Sequence, residues 1–498
     1  MPNKRKVIFI MTDTQRWDMV NCYRDTGLKT PNIDRLAGEG IRFEKAYTTQ
    51  PVCQPARAAI FTGMYPHSCA SWANSMGISD NTKTLGQRLR DNGVHTAYMG
   101  KWHLDGSDYF GMGKCPDGWD PDYWYDMRNY LEELTDEERL ISRDTQYMDN
   151  HDYPAEMTFG HRCANRALDF LETHGDEDFF LAVSFDEPHG PHMCPTVYKE
   201  MYNHYKFPKS PNVYDPLTGK PDTQRIWAGD RLTEDKEALD FSFQYFFACN
   251  TFIDNEIGRI LDAAKRSAPD ALIIYTSDHG SFMHSHSLEG KGPATYDEIA
   301  RVPMIISGPD IRPGQVHPHP VSHINIAPTI MEWMGLPVPK TMEGASLMPA
   351  LADSATRIND YIHIEFGRYE VDHDAFGGFQ PLRAAFDGRF KLTVNLLSSD
   401  ELYDLEADPY EMTNLIDDPS HKAIRNRLHD AILGYMDETR DPFRGYYWER
   451  RPWRLDAKPA TWVNSRMTRQ REEDESYEKR QLDYATGLTM TDAVRQIF

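Results

Sequence analysis

The chain has 498 residues, which is long enough for one large domain and a smaller second one. Hydrophobic residues make up 40% of it and aromatic residues 12%, a composition that is ordinary for a soluble globular protein. Its 77 acidic and 54 basic residues give a formal net charge of −23, which argues against nucleic acid and anionic membranes as general partners. An anionic substrate would therefore need a local basic pocket.

The cysteines and the amino-terminal residues bear on the cellular compartment. The 7 cysteines are scattered and form no C-x-x-C pair, so neither a zinc knuckle nor a disulfide scaffold is indicated and a reducing compartment fits best. A basic start is followed by an apolar run, 7–11, that is too short for the core of a signal peptide. No stretch approaches the roughly 20 apolar residues that span a bilayer. We therefore expect a cytoplasmic protein that does not contact the membrane.

Apolar runs alternate with amphipathic segments along the larger part of the chain. In chain order the pattern predicts a strand at 7–11, helices at 31–40, 55–61 and 84–92, a strand at 94–99, a helix at 159–171, a strand at 179–185, a long helix at 236–265 and strands at 271–276 and 303–306. Such alternation predicts an α/β fold with a mixed, mostly parallel central sheet that helices cover on both faces.

A different pattern begins near residue 355. The runs 361–366, 382–386 and 390–395 predict antiparallel strands, the last two joined by a turn at Asp387 and Gly388, and 423–436 predicts a closing helix. We therefore expect a large amino-terminal domain at 1–354, a smaller subdomain of antiparallel sheet plus helix at 355–440, and a tail at 441–498.

The tail is polar and charged but contains Trp448, Trp453 and Trp462. A segment of this kind cannot form a core of its own, so its rings must pack either on its own body or on a neighbouring subunit. Aromatic anchors among charged residues suit a subunit interface. We expect a homo-oligomer in which the tail lies on a neighbouring subunit, with folding back on its own body as the alternative.

Polar residues follow two of the predicted strands. Asp13 comes just after the first strand, and Asp278 and His279 come just after the strand at 271–276. Ligands of open α/β sheets bind at the carboxyl ends of strands, so these side chains are candidates for one site. Carboxylate and imidazole donors suit a divalent cation. A single acid after a strand is more often a helix cap or turn residue, so the prediction depends on the set.

Several basic side chains could surround one tetrahedral oxyanion. Lys101 and His103 follow the strand at 94–99, His189 lies in a loop that prolines stiffen, and glycines flank Lys291 and allow close approach. Each of these is typical of an exposed loop when taken alone. Together, cations stabilise charge that develops on oxygen, and Lys and His can also act as general acids. The full set is Arg57, Lys101, His103, His189 and Lys291, with His286 nearby.

Cys53 opens the string Cys-Gln-Pro-Ala-Arg, which ends at Arg57 and continues through a short apolar run to Thr62 and Gly63. This C-x-P-x-R pattern resembles the maturation signature of the type I sulfatases. The chain also contains, in order, Asp13, Lys101-x-His103, Pro188-His189, Ser277-Asp278-His279-Gly280 and Lys291. The set resembles the type I sulfatases of the alkaline phosphatase superfamily, bacterial glycan sulfatases in particular, from about residue 5 to about residue 435. Residues 404–414 resemble an element of that family's carboxyl-terminal module.

The resemblance implies an alkaline phosphatase-like fold and a sulfuric ester hydrolase. In this family a maturating enzyme oxidises the cysteine to formylglycine, whose hydrate attacks sulfur through one oxygen and later expels sulfate by collapse to the aldehyde. Carried over, Arg57 would steady the formylglycine, and His103, beside Lys101, would be the base for sulfate release. His189 and Lys291 would contact the sulfate and protonate the leaving alcohol. The implied ligands of a divalent metal, Ca²⁺ first, are Asp13, Thr14, oxidised Cys53, Asp278 and His279.

Two positions depart from the common family pattern. Thr14 follows Asp13 where many members have a second aspartate, and His279 stands where many have asparagine. The site is thus less anionic and offers an imidazole, which admits Mn²⁺ or Zn²⁺ beside Ca²⁺. The histidine variant also occurs among related phosphoryl hydrolases, so a phosphodiester or phosphonate monoester hydrolase is the alternative function. A catalytically inactive binding protein is a third reading, against which the retained Cys53 and Lys291 argue.

The resemblance also suggests where the substrate is recognised. A cytoplasmic enzyme would act on small sulfated sugars rather than on polymers, and a sulfatase-maturating enzyme would be its partner. His286 matches a family histidine near the substrate. Arg368 and His373 lie in the second module, which borders the pocket mouth in this family, and could bind the carboxylate of a uronate. A surface salt bridge is the more common role for such an arginine.

Overall fold

The computed structural model describes residues 5–239, 243–370, 378–457 and 486–488. The strands of this part are β1 (Lys6–Thr12), β2 (Ile41–Tyr47), β3 (His95–Gly100), β4 (Trp124–Tyr125), β5 (Phe179–Ser184), β6 (Leu272–Ser277), β7 (Arg301–Val302), β8 (Met304–Ser307), β9 (Gln315–Ser322), β10 (Ile362–Phe366), β11 (Leu382–Phe386), β12 (Phe390–Asn395) and β13 (Glu401–Asp404).

The α-helices surround these strands. They are α1 (Pro31–Glu39), α2 (Cys53–Thr62), α3 (Pro66–Cys69), α4 (Leu85–Asp91), α5 (Met127–Glu132), α6 (Asp136–Ile141), α7 (Thr145–Asn150), α8 (Phe159–His174), α9 (Thr196–Glu200), α10 (Asp222–Ala228), α11 (Gln244–Ser267), α12 (Asp297–Ala300), α13 (Ile326–Trp333), α14 (Met348–Ala352), α15 (Lys422–Glu438) and α16 (Tyr446–Glu449). No helix among the described residues is both long and apolar enough to span a bilayer.

The central sheet has the strand order β4-β3-β5-β1-β6-β8-β2-β7, with β9 beside β2. Strands β4, β3, β5, β1 and β6 are parallel to one another, whereas β8 runs antiparallel to β6 and β2. Alternate residues of β1 enter two hydrophobic layers: Phe9 packs with Phe61 of α2, and Ile10 belongs to the layer that contains α8 and α11. Because both faces are buried, the strand is apolar from Val7 to Met11. The predicted mixed, mostly parallel α/β sheet is confirmed.

The register of the parallel strands determines which residues meet at the carboxyl edge. Thr12 pairs with Ser277, and Ser184 pairs with both Met11 and Gly100. The residues that follow these strands therefore leave the sheet side by side. Asp13, Asp278 and Lys101 come from three of these ends, as the sequence pattern predicts.

The smaller sheet has the antiparallel order β10-β11-β12-β13. Helix α15 covers it, and Leu392 of β12 shares a core with Leu428 and Ile432 of α15. Lys391 extends from β12 into the larger unit, where its amine lies 3.0 Å from Asp297 Oδ1 and donates to the Thr295 carbonyl at 2.6 Å. The predicted antiparallel sheet plus helix is confirmed, and the domain boundaries at 354/355 and 440/441 remain predictions.

The described part of the tail folds on its own body. Trp448 of α16 is 1% exposed and packs with the core of α15, and its carbonyl lies 2.7 Å from His429 Nε2. Trp453 is half-buried and donates from Nε1 to Asp400 Oδ2 at 2.8 Å. These two rings therefore follow the alternative of folding back on their own body, because the chain itself supplies their partners. Trp462 lies outside the described residues, and the homo-oligomer remains a prediction.

Two predicted elements differ from the structure for identifiable reasons. The long helix begins at Gln244 rather than at 236, and Asp235, which accepts from the backbone N–H groups of Glu237 and Ala238, caps only a short turn. The sequence pattern does not predict strand β9, because its residues include Pro318 and Pro320 and proline within a run argues against a strand. Its position beside β2 alone explains why prolines are accepted there.

Gly100 generates a prediction about stability. Its φ is 122°, and a Cβ at this position would lie 1.9 Å from the Ser184 carbonyl oxygen. We expect Gly100→Ala to lower the free energy of unfolding by about 2–4 kcal/mol, because backbone strain and a clash with main chain add together. Urea unfolding followed by circular dichroism would measure it. Gly38→Ala in α1, where a Cβ meets open space, is the matched control and should be neutral or slightly stabilising. Equal stability of the two variants would contradict the prediction.

Candidate active site

Cys53 is the first residue of α2 and is 2% exposed. The preceding Val52 is extended, and Gly63 closes the helix in the left-handed conformation. The Sγ atom lies 2.8 Å from Lys291 Nζ, 3.2 Å from His279 Nε2 and 4.0 Å from Lys101 Nζ. The thiol therefore lies among three nitrogen groups that the sequence scatters over almost 200 residues.

Arg57 holds the two strand-end carboxylates together. Its side chain lies four residues after Cys53 and hence on the same face of α2. Nη2 donates to Asp13 Oδ2 at 2.9 Å, and Nε donates to Asp278 Oδ2 at 3.1 Å. Nη1 donates to Ser184 Oγ at 2.6 Å and to the Lys101 carbonyl at 2.7 Å. The C-x-P-x-R spacing thus places the thiol and the group that orders its surroundings on one helical turn.

Thr14 supports both carboxylates. Its hydroxyl donates to Asp13 Oδ1 at 2.6 Å, and its backbone N–H donates to Asp278 Oδ1 at 3.1 Å. The residue has a φ of 64°, a backbone conformation that a β-branched residue rarely adopts. The surrounding contacts maintain this strain at the position where the two strand ends meet.

Four donor atoms of the set converge. One ligand atom each from Asp13, Cys53, Asp278 and His279 lies within 4.8 Å of the others. The Nδ1–H of His279 donates to the Gly280 carbonyl at 2.8 Å, which leaves the Nε2 lone pair facing the cluster. His279 Nε2 lies 3.8 Å from Asp13 Oδ1 and 3.6 Å from Asp278 Oδ1. Two carboxylate oxygens and one imidazole nitrogen are a donor set that fits a divalent cation.

The charges around Cys53 alter its ionisation. Burial and the Asp13 charge would raise the pKa of the thiol, but Lys101, Lys291 and His279 outweigh them and hold that pKa well below its usual value. Burial and the Asp13 charge also raise the pKa of Asp278, to about 6. The site is therefore a local basic pocket in an acidic protein, as an anionic ligand requires.

Lys101, His103 and His189 lie around the same site. Lys101 Nζ is 2.8 Å from Asp13 Oδ2 and 3.1 Å from Asp186 Oδ1. His103 is buried and hydrogen-bonds the Cys53 thiol. His189 Nδ1 lies 3.0 Å from the Tyr109 hydroxyl and 3.0 Å from the Gly190 carbonyl.

Asp186 and Tyr109 were not among the predicted site residues. The Tyr109 hydroxyl donates to the Asp186 carboxylate, and the Tyr109 ring lies 4.1 Å from Lys101 Nζ. Asp186 follows strand β5 just as Asp13 follows β1, so the same strand-end rule would have found it. Tyr109 carries no signal of this kind because only the folded loop brings it to Lys101.

Of the three residues predicted to bind substrate, the structure describes His286 and Arg368. His286 Nδ1 lies 2.6 Å from Asp215 Oδ2, and the ring stacks on Tyr296 at 3.9 Å between centroids. His286 thus belongs to a second buried polar network. Arg368 is half-buried and precedes Tyr369, whose hydroxyl interacts electrostatically with Lys291. His373 lies outside the described residues.

Comparison with known proteins gives the family. The sulfatase family model matches residues 5–336, and the model described as the carboxyl-terminal part of N-sulphoglucosamine sulphohydrolase matches residues 293–438. The chain therefore belongs to the sulfatase family. It is a sulfuric ester hydrolase with the alkaline phosphatase-like fold that the sequence resemblance implies.

Individual relatives agree with this assignment. The chain is 44% identical over 488 residues to the uncharacterized sulfatase YidJ of Escherichia coli K12, which covers 97% of this chain and 96% of that protein. A protein solved with its substrate D-glucosamine-2-N,6-O-disulfate has a TM-score of 0.72 at 22% identity, covering 88% and 99% of the two chains. The phosphonate monoester hydrolase of Agrobacterium radiobacter has a TM-score of 0.70 at 22% identity, covering 87% and 96%. These structural likenesses show a common fold.

The ring of cations predicts an ionised Cys53 in the chain before any modification. Burial raises the pKa of the other six thiols, so Cys53 should be the one thiolate at neutral pH. We expect one equivalent of ultraviolet thiolate absorbance at pH 7 in metal-free, unmodified protein. It should disappear in Cys53→Ser, persist in the control Cys249→Ser, and require higher pH in Lys291→Met. Absorbance that Cys53→Ser leaves unchanged would contradict the assignment.

Proposed function

We propose that this sulfatase removes sulfate from a small sulfated carbohydrate and that Cys53, after oxidation to formylglycine, is its nucleophile. The observation that supports this most is the position of the Cys53 side chain, buried beside Lys291, Lys101 and His279. In the unmodified chain the sulfur stands in for the oxygens of the modified residue. Formylglycine supplies an aldehyde hydrate, which offers one oxygen for attack and a second for expelling sulfate.

Arg57 acts in this proposal as a positioning residue. Its guanidinium already donates to Asp13, Asp278, Ser184 and the Lys101 carbonyl, so it orients the pocket instead of contacting sulfate. The sulfate oxygens would instead meet the ammonium groups of Lys101 and Lys291. Fixed charges aimed at oxygens on which negative charge increases stabilise a transition state without reorganisation.

The divalent cation would be held by Asp13, Asp278, His279 and residue 53, with Thr14 orienting the carboxylates. Arg57 binds Oδ2 of each carboxylate, and Oδ1 of each, which also accepts a hydrogen bond from Thr14, lies toward His279 Nε2. A cation bound there would polarise a sulfate oxygen. The family resemblance favours Ca²⁺, and the imidazole is a ligand that suits Mn²⁺ or Zn²⁺.

Two histidines and a lysine would move the protons. Burial lowers the pKa of His103, so its ring is neutral and can accept a proton when sulfate is released. The Nδ1–H of His189 has acceptors in Gly190 and Tyr109, which leaves Nε2 for the leaving alcohol. Burial would lower the pKa of Lys291, but the charges of Cys53, Asp13 and Asp278 raise it. The two acids persist after Cys53 is modified, so the side chain can remain an ammonium that contacts sulfate and donates a proton.

A uronate-containing sugar would account for the basic residues of the second module. Arg368 directly precedes Tyr369, which is close enough to Lys291 to affect its ionisation. We propose that Arg368 and His373 bind the carboxylate and that His286 holds the adjacent wall. Arg368→Gln should then raise KM for a sulfated uronate and leave KM for a neutral sulfated sugar unchanged.

A phosphodiester or phosphonate monoester hydrolase is the second candidate. The observation that favours it is His279, an imidazole among the cation ligands, which some phosphoryl hydrolases of this superfamily share. Both substrate classes carry one negative charge on the transferred group, so the charge count of the pocket suits either. Measured rates decide between them.

The proposal includes a maturating enzyme as partner and a cytoplasmic location. An unmodified thiol cannot form a hydrate, so activity should require coexpression with a sulfatase-maturating enzyme. Mass analysis of the peptide across Cys53 would report the conversion. A homo-oligomer remains part of the proposal.

We expect matured protein to release sulfate from sulfated mono- or disaccharides at least about 100-fold faster than it cleaves phosphonate monoesters or phosphodiesters. Cys53→Ala should lose at least about a thousandfold in kcat/KM because the nucleophile is gone, while circular dichroism and thermal midpoint stay the same. Sulfate release by ion chromatography would measure both. A Cys53→Ala rate within about tenfold of wild type would overturn the nucleophile. Faster phosphoryl cleavage would favour the second candidate.

The proposed cation makes activity depend on the Asp278 carboxylate. Asp278→Asn keeps the shape of the side chain but removes a carboxylate, so we expect it to lose bound metal and most of the turnover. Elemental analysis of purified protein would identify the ion and show its loss. Asp262→Asn, whose carboxylate forms an exposed ion pair with Arg35 at 2.7 Å, is the control. Full activity of exhaustively chelated protein without detectable metal would contradict the cation.

A further inference from the structure

A second group of histidines lies at the opposite edge of the central sheet. His95 is the first residue of β3, and Lys101 of the active site comes just after its last. The length of the strand therefore separates the two sites by about 20 Å. His174 ends α8, and Glu177 lies in the turn that leads into β5, whose first residue pairs with His95. One ligand atom each from His95, His174 and Glu177 lies within 4.8 Å of the others.

Glu177 bridges the two imidazoles through the same nitrogen of each ring. Oε2 lies 3.2 Å from His95 Nδ1, and Oε1 lies 2.9 Å from His174 Nδ1. The two rings are perpendicular, at 4.6 Å between centroids. The carboxylate is half-exposed and the histidine side chains are 19% exposed, so a solvated ion can reach them.

The remaining nitrogen of each ring has an oxygen partner. His95 Nε2 lies 2.8 Å from Asp120 Oδ2, and His174 Nε2 lies 2.6 Å from the Tyr123 hydroxyl. A carboxylate or hydroxyl on the outer nitrogen is the arrangement that orients metal-binding histidines, because it fixes the tautomer and raises ligand basicity. The ring of Phe170 packs against both imidazoles and limits their rotation.

The carboxylates and imidazoles of this cluster need a positive charge between them. His95 faces ionised carboxylates at both nitrogens, and a carboxylate can only accept hydrogen bonds. Among the described residues, the partners of Glu177 and Asp120 within ion-pair distance are these two histidines, and no lysine or arginine pairs with either acid. Either added protons or a bound cation must therefore compensate the charge.

A second, buried cluster of the same kinds of side chain already contains a cationic group. His67, Glu365 and Asp441 also bring three donor atoms within 4.8 Å. There, however, the Arg383 guanidinium contacts both acids and neutralises them, so a cation would be repelled. At the sheet edge, by contrast, no described lysine or arginine lies within ion-pair distance of Glu177.

We propose that His95, His174 and Glu177 bind a divalent transition metal, Zn²⁺ by its preference for two nitrogens and one oxygen in a four-coordinate shell. Nδ1 of each ring and one Glu177 oxygen are the ligands, and water fills the fourth position on the exposed side. Asp120 and Tyr123 orient the rings. The ion ties together the start of β3, the end of α8 and the turn that follows it, which makes it a stabilising site separate from the cluster at Cys53.

Zinc binding to full-length protein tests the proposal. Wild type and variants would be equilibrated with buffered Zn²⁺, freed of excess metal and analysed for bound zinc. The Cys53 cluster is the same in all of them, so any zinc it binds cancels in the comparison. We expect wild type to hold one zinc more than His174→Gln or Glu177→Gln. Asp120→Asn should retain the site with an affinity about 10–100-fold weaker.

The control is His421→Gln, because His421 pairs with Asp418 at 2.9 Å three residues away on the surface but has no second histidine. It should bind zinc like wild type. After loading with Co²⁺, the absorption spectrum of wild type minus that of His174→Gln should show the visible bands of a tetrahedral centre. Added Zn²⁺ should also raise the thermal midpoint of wild type more than that of His174→Gln. Equal zinc content and equal Co²⁺ spectra in wild type, His174→Gln and Glu177→Gln would overturn the proposal. Sulfatase activity of each variant verifies that it is folded.

Discussion

The active site depends on balancing charges that are removed from water. Asp13, Asp278, Arg57 and Lys101 are all 1% exposed or less. Burying one such charge without a partner costs several kcal/mol, and removing one member of a buried pair leaves the other uncompensated. Arg57 meets both carboxylates and Lys101 meets Asp13, so the set compensates itself. The parallel strand ends and α2 must hold these partners within hydrogen-bonding distance.

The same balance gives the site its chemistry. Arg57 binds Oδ2 of both acids and Lys101 binds Oδ2 of Asp13, while Oδ1 of each, which Thr14 supports, lies toward His279 Nε2, where we propose the cation. Lys291 faces residue 53 directly, and its charge also helps to lower the pKa of Asp13. A protein with a net charge of −23 thus presents a basic pocket to an anionic sulfate ester, because the local arrangement of charges outweighs the global field within a few ångströms.

A second buried network explains the position of His286. Asp215 lies 2.6 Å from His286 and also contacts Lys220, whose amine donates to the carbonyl of Glu411 in the second module. Gln224 donates to Glu401 of β13 in the same region. His286 therefore belongs to the polar contact between the larger unit and the small sheet, on which any role at the pocket wall would depend.

The sequence by itself determined the α/β alternation, most strand positions, the sulfatase family and the strand-end acids, because period, strand ends and the C-x-P-x-R motif are local patterns. It could not determine Tyr109, the support that Thr14 gives both acids, or the inward packing of Trp448. These depend on which distant segments meet, and neither side-chain period nor composition encodes that. The same holds for His95 and His174, whose approach to Glu177 follows from the pairing of β3 with β5.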